Sequence, residues 1–134
     1  MTIVVGYVPK PEGRAAVRRG VAEALLRQED LLVVNAARGD SYADAGFAPE
    51  EELAAVRAEL ERSGVRAEVR QLVRGVDPAD EIMQAAATAA AKLIVIGIRH
   101  RTPVGKLILG STAQRVLLEA GCPVLAVKAE SEPA

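Results

Sequence analysis

The sequence predicts a single doubly wound α/β domain of 134 residues, and three observations carry that prediction. Five short apolar runs alternate with segments of helix length along the whole chain. Four of these runs are continuous in valine, isoleucine and leucine, as in strands that a parallel sheet buries on both faces. The third run alternates apolar with charged residues, which is typical of an edge strand. This order of elements predicts a five-stranded parallel sheet with helices on both faces.

Each short apolar run predicts one strand, and the five strands span 3–8, 31–36, 66–73, 93–97 and 124–127. Four helices are predicted, over 11–27, 49–62, 78 to about 92, and 111–120. The first two carry apolar residues at helical spacing, the third is rich in alanine, and the fourth lies between Ser111 and Gly121. Asp77 and Ser111 are the candidate N-caps, and Gly64 and Gly121 follow helix ends. Residues 38–48 have no periodicity and predict a loop. We expect one domain over 1–129 and a disordered tail over 130–134.

Composition and charge argue against several classes of function. The net charge is −1, which does not favour binding to nucleic acid or to an anionic membrane through bulk charge. No apolar run approaches the roughly 20 residues of a membrane-spanning helix. Cys122 is the one cysteine, so an internal disulfide is excluded. These features predict a cytoplasmic protein.

The segment after the fourth predicted strand carries the strongest candidate site. Gly97 ends the strand, a basic loop follows, and Gly110, Ser111 and Thr112 open the next helix. Backbone amides at a helix N-terminus form a natural phosphate site, to which hydroxyl and basic side chains add donors. A purely structural interpretation stays open, in which Gly110 permits a tight turn, Ser111 caps the helix and the basic residues are solvated.

These residues give the chain a resemblance to the universal stress protein family of the UspA type. The spacing of the family's nucleotide motif is glycine, two residues, glycine, nine residues, glycine and then serine or threonine. Here it falls on Gly97, His100, Gly110 and Ser111. The ending 121–127, which reads Gly-Cys-Pro-Val-Leu-Ala-Val, is similar to the closing strand of the family.

The resemblance implies a fold of the adenine-nucleotide alpha-hydrolase-like type with strand order 3-2-1-4-5, and a homodimer paired through strand 124–127. Some members of the family bind ATP and others do not, so the resemblance makes ATP a candidate ligand, with Mg²⁺ only alongside it. The resemblance assigns Gly97, Gly110 and Ser111 to phosphate- and ribose-side positions, and it implies that the amide of Thr112 also faces phosphate. Ala36 matches a position whose backbone contacts adenine.

Two positions depart from the family's pattern. Val8 stands where ATP-binding members carry an aspartate, and valine cannot accept a hydrogen bond. His100 replaces the second glycine of the motif and carries a side chain toward the space of the phosphates. We expect Arg99 and His100 to restore part of the lost affinity by direct contact with phosphate.

Three functions from different classes remain open on these residues. The first is a stress-response module that binds an adenine nucleotide through a partly degenerate motif. The second is a universal stress protein that binds no nucleotide and acts through protein partners, which Val8 and His100 favour. The third is a slow ATPase, for which the sequence offers no strong metal ligand or catalytic base near the loop.

Other chemistry-bearing residues have structural interpretations. Asp77 and Asp80 lie where a helix start favours caps and negative charge, and Glu50–Glu52 read as a solvated first turn. Cys122 reads as a small core residue. The prediction is therefore that the protein has no catalytic residues and no metal site of its own.

Overall fold

The computed structural model describes residues 2–39, 45–99 and 109–129. His100, most of the basic loop after it, residues 40–44 and the tail 130–134 lie outside the described residues. No helix among the described residues is long and apolar enough to cross a membrane.

Five strands and four helices alternate along the chain, as the sequence predicts. In chain order they are β1 (Thr2–Gly6), α1 (Pro11–Arg27), β2 (Asp30–Ala37), α2 (Glu50–Ser63), β3 (Ala67–Val73), α3 (Pro78–Thr88), β4 (Leu93–Ile98), α4 (Ser111–Glu119) and β5 (Val124–Lys128). All strand pairs are parallel, and the sheet order is β3-β2-β1-β4-β5. The doubly wound fold and its strand order are thereby confirmed.

Alternate residues of the central strands build two separate cores. Ile3 and Val5 of β1 pack with α1 and α2, while Val4 packs with α3 and α4 on the opposite face. This division follows from the period-two alternation of side chains along a strand, combined with strands that are apolar at nearly every position. The sheet is consequently covered by α1 and α2 on one face and by α3 and α4 on the other.

The structure corrects three predicted boundaries. The first strand ends at Gly6 rather than at Val8, because the chain turns after Tyr7 and the Lys10 amide donates to the carbonyl of Val8 at 2.8 Å. The third helix ends at Thr88 rather than near residue 92. There Ala90 adopts a left-handed φ of 51°, and the amide of Ala91 donates to the carbonyl of Ala86 at 2.9 Å. This is a Schellman-type helix end formed with alanine in place of the usual glycine, so the sequence carries no stop signal.

The third correction concerns Ser111, which is not the N-cap of the fourth helix. The N-cap is Gly110, with φ 83° and ψ 151°, and glycine has no side chain with which to cap the helix. That combination of angles is essentially restricted to glycine, so the chain turns there and Ser111 becomes the first helical residue. The hydroxyl of Ser111 therefore stands exposed at the helix start, with no capping bond in the described part of the chain.

Candidate functional site

A cavity of about 240 Å³ opens at the carboxyl ends of β1, β2 and β4. It is lined by Gly6, Tyr7, Val8, Lys10, Glu12, Ala36, Gly46, Pro78, Ile82, Ile96, Gly97, Arg99, Leu109, Gly110, Ser111, Thr112 and Ala113. β1 is followed by α1 on one face of the sheet, whereas β4 is followed by α4 on the other face. The cavity between these strands therefore lies where the strand order reverses. Doubly wound sheets bind their ligands at that position.

The structure brings seven of the eight predicted site residues to this one cavity. They are Val8, Ala36, Gly97, Arg99, Gly110, Ser111 and Thr112. The eighth, His100, lies outside the described residues. Val8 and Thr112, the first and last of the seven, are more than a hundred residues apart in the sequence. Their convergence follows from the strand order alone.

Gly97 is explained by packing as well as by the cavity. A Cβ atom built at this position would lie 2.0 Å from the carbonyl oxygen of Glu12 in the first turn of α1. Gly13 has the matching role on the helix, since its Cβ would lie 1.8 Å from the carbonyl oxygen of Val8. The two glycines let the start of α1 approach the ends of β1 and β4, and this approach places Lys10 and Glu12 at the cavity.

The N-terminus of α4 points open backbone amides at the cavity. The first intrahelical bond of this helix runs from the amide of Gln114 to the carbonyl of Gly110 at 3.0 Å. The amides of the three preceding residues, 111–113, therefore have no acceptor within the helix. All three residues line the cavity, where such amides favour a bound anion.

Two cations lie at the cavity without an ion-pair partner among the described residues, namely Lys10 and Arg99. Lys10 is half-buried at the start of α1, and Arg99 is exposed just after β4. Most arginines in the described part of the chain are paired with a carboxylate; Arg115, for example, contacts Asp80 at 2.8 Å and Glu119 at 3.0 Å. Glu12 adds one negative charge to the cavity wall.

Sequence reasoning missed several lining residues, chiefly Lys10, Glu12 and Gly46. Lys10 directly precedes a helix that follows the first strand, and that position marks the carboxyl edge of the sheet. This signal could have found Lys10 and Glu12. Gly46 belongs to the chain between β2 and α2, which has no periodic pattern, so only the tertiary contacts place it at the cavity.

Asp77 has the structural role that the sequence predicts for it. This side chain accepts from the amide of Ala79 at 2.9 Å, and that bond holds the pKa of the Asp77 carboxyl below its usual range.

Burial raises the pKa of the Cys122 thiol, which packs beside the α3 and α4 core. Within the predicted solvated first turn of α2, the half-exposed carboxylate of Glu52 also accepts from the buried hydroxyl of Tyr7 at 3.2 Å. Burial and Glu52 raise the pKa of Tyr7 to about 12.

Comparison with known proteins identifies the family. The model of the universal stress protein family matches residues 1–128. The chain belongs to the universal stress protein family. It is 57% identical over 126 residues to a universal stress protein of Mycolicibacterium smegmatis. The aligned region covers 94% of this chain and 96% of that protein.

Solved structures of universal stress proteins carry the same fold. One from Archaeoglobus fulgidus superimposes with a TM-score of 0.78 at 33% identity, covering 96% of this chain and 98% of the other. A universal stress protein from Archaeoglobus fulgidus in complex with dAMP superimposes with a TM-score of 0.72 at 29% identity over the same shares of the two chains. The second of these proteins holds dAMP, a nucleoside monophosphate.

Proposed function

We propose that this universal stress protein is a cytoplasmic stress-response module that binds an adenine nucleotide in the cavity between β1, β2 and β4. The observation that carries the proposal is the convergence on one cavity of three amides without an acceptor in their helix and two cations without an ion-pair partner among the described residues. The dAMP complex of the Archaeoglobus protein supports the choice of a nucleotide.

The geometry offers complementary surfaces for the phosphate and for the base of a nucleotide. The phosphate fits the N-terminus of α4, where the amides of residues 111–113 and the hydroxyl of Ser111 are donors. Lys10 and Arg99 supply positive charge for the same group. The apolar part of the wall, with Ala36 and Ile82, suits the base.

Val8 weakens this site relative to family members with an aspartate at that position. The loss of a hydrogen bond to a charged group costs roughly 1.5–3 kcal/mol, which corresponds to about a tenfold to hundredfold loss of affinity. We therefore expect Val8→Asp to tighten nucleotide binding by a factor in that range. This substitution adds the acceptor at a half-buried position on the cavity wall.

The test is isothermal titration of the full chain with AMP, and with ATP in the presence and absence of Mg²⁺. We expect saturable binding of AMP to the wild type. Arg99→Gln is expected to weaken it by up to about fivefold, since exposed ion pairs contribute up to about 1 kcal/mol. Arg62→Gln is the matched control, because Arg62 is exposed on α2, away from the cavity, and has no ion pair among the described residues.

Two outcomes would contradict the proposal. One is the absence of any heat of binding at millimolar AMP or ATP for both the wild type and Val8→Asp. The other is an equal loss of affinity in Arg99→Gln and Arg62→Gln. The first outcome would favour the second candidate function, a universal stress protein that acts through protein partners, for which Val8 is the supporting observation.

We also propose that the protein forms a homodimer through β5. In the described part of the chain this strand pairs with β4 and stands at the edge of the sheet, with Val124 to Val127 half-buried. An apolar edge strand of this kind favours pairing with a second copy.

The hydrogen bonds between β4 and β5 show which substitution tests the proposed dimer. The amide of Ile94 donates to the carbonyl of Pro123 at 3.0 Å, so in a parallel ladder Leu125 also bonds to β4, while the amide of Ala126 faces the open edge. Ala126→Pro removes that outward donor without removing a bond to β4. Light scattering at micromolar concentration is expected to report a dimer for the wild type and for Ala126→Ser, and a monomer for Ala126→Pro. A monomeric wild type would overturn the proposal.

A further inference from the structure

We infer that Asn35 is a positioning residue that holds the cavity wall formed by Tyr7 and Gly46. Asn35 lies in β2 and is fully buried, between apolar neighbours on its strand. A buried amide is tolerated only when its donors and acceptors are satisfied. The partners of Asn35 therefore show what this side chain does in the fold.

The side chain of Asn35 uses all four of its hydrogen-bonding positions. Its Nδ2 donates to the carbonyl of Tyr7 at 2.9 Å and to the carbonyl of Gly46 at 2.8 Å. Its Oδ1 accepts from the amide of Ala48 at 3.1 Å and from Nε2 of Gln71 at 2.9 Å. An amide has two donors and two acceptor lone pairs, so no capacity is left over.

These bonds tie three separate parts of the chain to one point. Tyr7 follows β1, Gln71 belongs to β3, and Gly46 and Ala48 belong to the chain that precedes α2. Gln71 reinforces the same attachment, since its Nε2 also donates to the carbonyl of Ala48 at 2.9 Å. The sheet thus fixes the position of a loop segment through side-chain bonds rather than through a strand ladder.

Two of the residues that Asn35 bonds directly, Tyr7 and Gly46, line the cavity, and so does Ala36, the next residue of β2. Gln71 and Ala48 do not line it. The two donors of the Asn35 amide therefore act on the cavity wall, and its acceptor acts on the supporting segment behind that wall. A wall that is already in position before the ligand arrives lowers the cost of binding.

The test rests on the proposed nucleotide site and compares two variants of the same network. Asn35→Asp keeps the size and the acceptor oxygen but replaces the donor to both wall carbonyls with a carboxylate oxygen. Gln71→Met removes two hydrogen bonds of the network without touching a wall residue. AMP is titrated into each full-length variant at a temperature where urea unfolding shows that it is folded.

We expect both variants to unfold at lower urea concentration than the wild type. Only Asn35→Asp is expected to bind AMP at least about tenfold more weakly, while Gln71→Met stays within about threefold of the wild type. Wild-type affinity in Asn35→Asp, or an equal loss in both variants, would overturn the inference. If Asn35→Asp does not fold, Asn35→Ser is measured in the same way.

A failure of the proposed function is distinguishable from a failure of this inference. If the wild type binds no AMP, hydrogen exchange in the ligand-free protein decides the role of Asn35. The inference then requires faster exchange at residues 45–48 in Asn35→Asp than in Gln71→Met. Exchange at the wild-type rate in Asn35→Asp would refute it.

Discussion

At the scale of single residues, Gly97 shows how a motif position can have two roles. Its spacing to Gly110 and Ser111 matches a nucleotide motif, and the residue lines the cavity. The backbone of Glu12 also lies too close for any side chain at this position. The motif glycine is thus required by the packing of α1 on β4 whether or not a ligand is present.

We expect Gly97→Ala to lower the free energy of unfolding by about 1–3 kcal/mol, the usual cost of overpacking. The new Cβ would meet the Glu12 carbonyl at 2.0 Å, and backbone rather than a flexible side chain would have to move. Urea unfolding measures the effect. Gly121→Ala is the control, because a Cβ there meets nothing within 4 Å, and its change should stay within about 0.5 kcal/mol. Equal stability of the two variants would contradict this account.

At the scale of elements, α3 shows which helix signals the sequence carries and which it lacks. Asp77 and Pro78 predict its start, and Asp77 does cap it through the amide of Ala79. Its end carries no such signal, because Ala90 takes the left-handed conformation where a glycine is usual. The start of α4 shows the converse, since Ser111 resembles a cap but Gly110 sets the turn.

We expect Asp77→Ala to lower the free energy of unfolding by about 1 kcal/mol, because the amide of Ala79 loses its acceptor. Asp77→Asn should restore most of that loss, since asparagine caps helices about as well as aspartate does. Its ion pairs with Arg38 and Arg115 are partly exposed and should matter less. Urea unfolding of the two variants in parallel checks the cap. An Asp77→Asn variant as unstable as Asp77→Ala would assign the effect to the ion pairs.

At the scale of the whole molecule, the strand order decides where the chemistry collects. Placing β1 between β2 and β4 brings Val8, Ala36 and Arg99 to one cavity, although they are distant in sequence. The same arrangement leaves β3 and β5 as the two edges. The charged alternation of β3 suits an exposed edge, whereas the apolar run of β5 is the basis of the proposed dimer.

Acid stability is a second property of the whole molecule. Hydrogen bonds lower the folded-state pKa of four carboxyls: Glu23 through Arg27 and Arg19, Glu29 through Lys92, Asp77 through Ala79, and Glu119 through Arg115. A carboxyl with a lowered folded pKa contributes stability that is complete above its unfolded pKa of about 4. That contribution is lost as the pH falls through the folded pKa.

We therefore expect the urea midpoint to change little between about pH 6 and pH 8 and to decrease steadily below about pH 4.5. Urea unfolding at closely spaced pH values measures this. The Asp77→Asn variant, which removes one of the four carboxyls, should show a shallower decrease than the wild type. A midpoint that stays constant to pH 3 would show that these bonds do not persist in solution.

The sequence by itself determined the fold class, the edge strand β3 and seven of the seventeen residues that line the candidate cavity. Buried strands are apolar at nearly every position, the edge strand β3 alternates apolar with charged residues, and caps such as Asp77 act within a few residues, so these features are visible locally. The motif spacing likewise carried Gly97, Gly110 and Ser111. Only the tertiary structure decided the roles of Gly46 and Asn35. Their positions depend on contacts between segments far apart in the chain, and local patterns do not record such contacts.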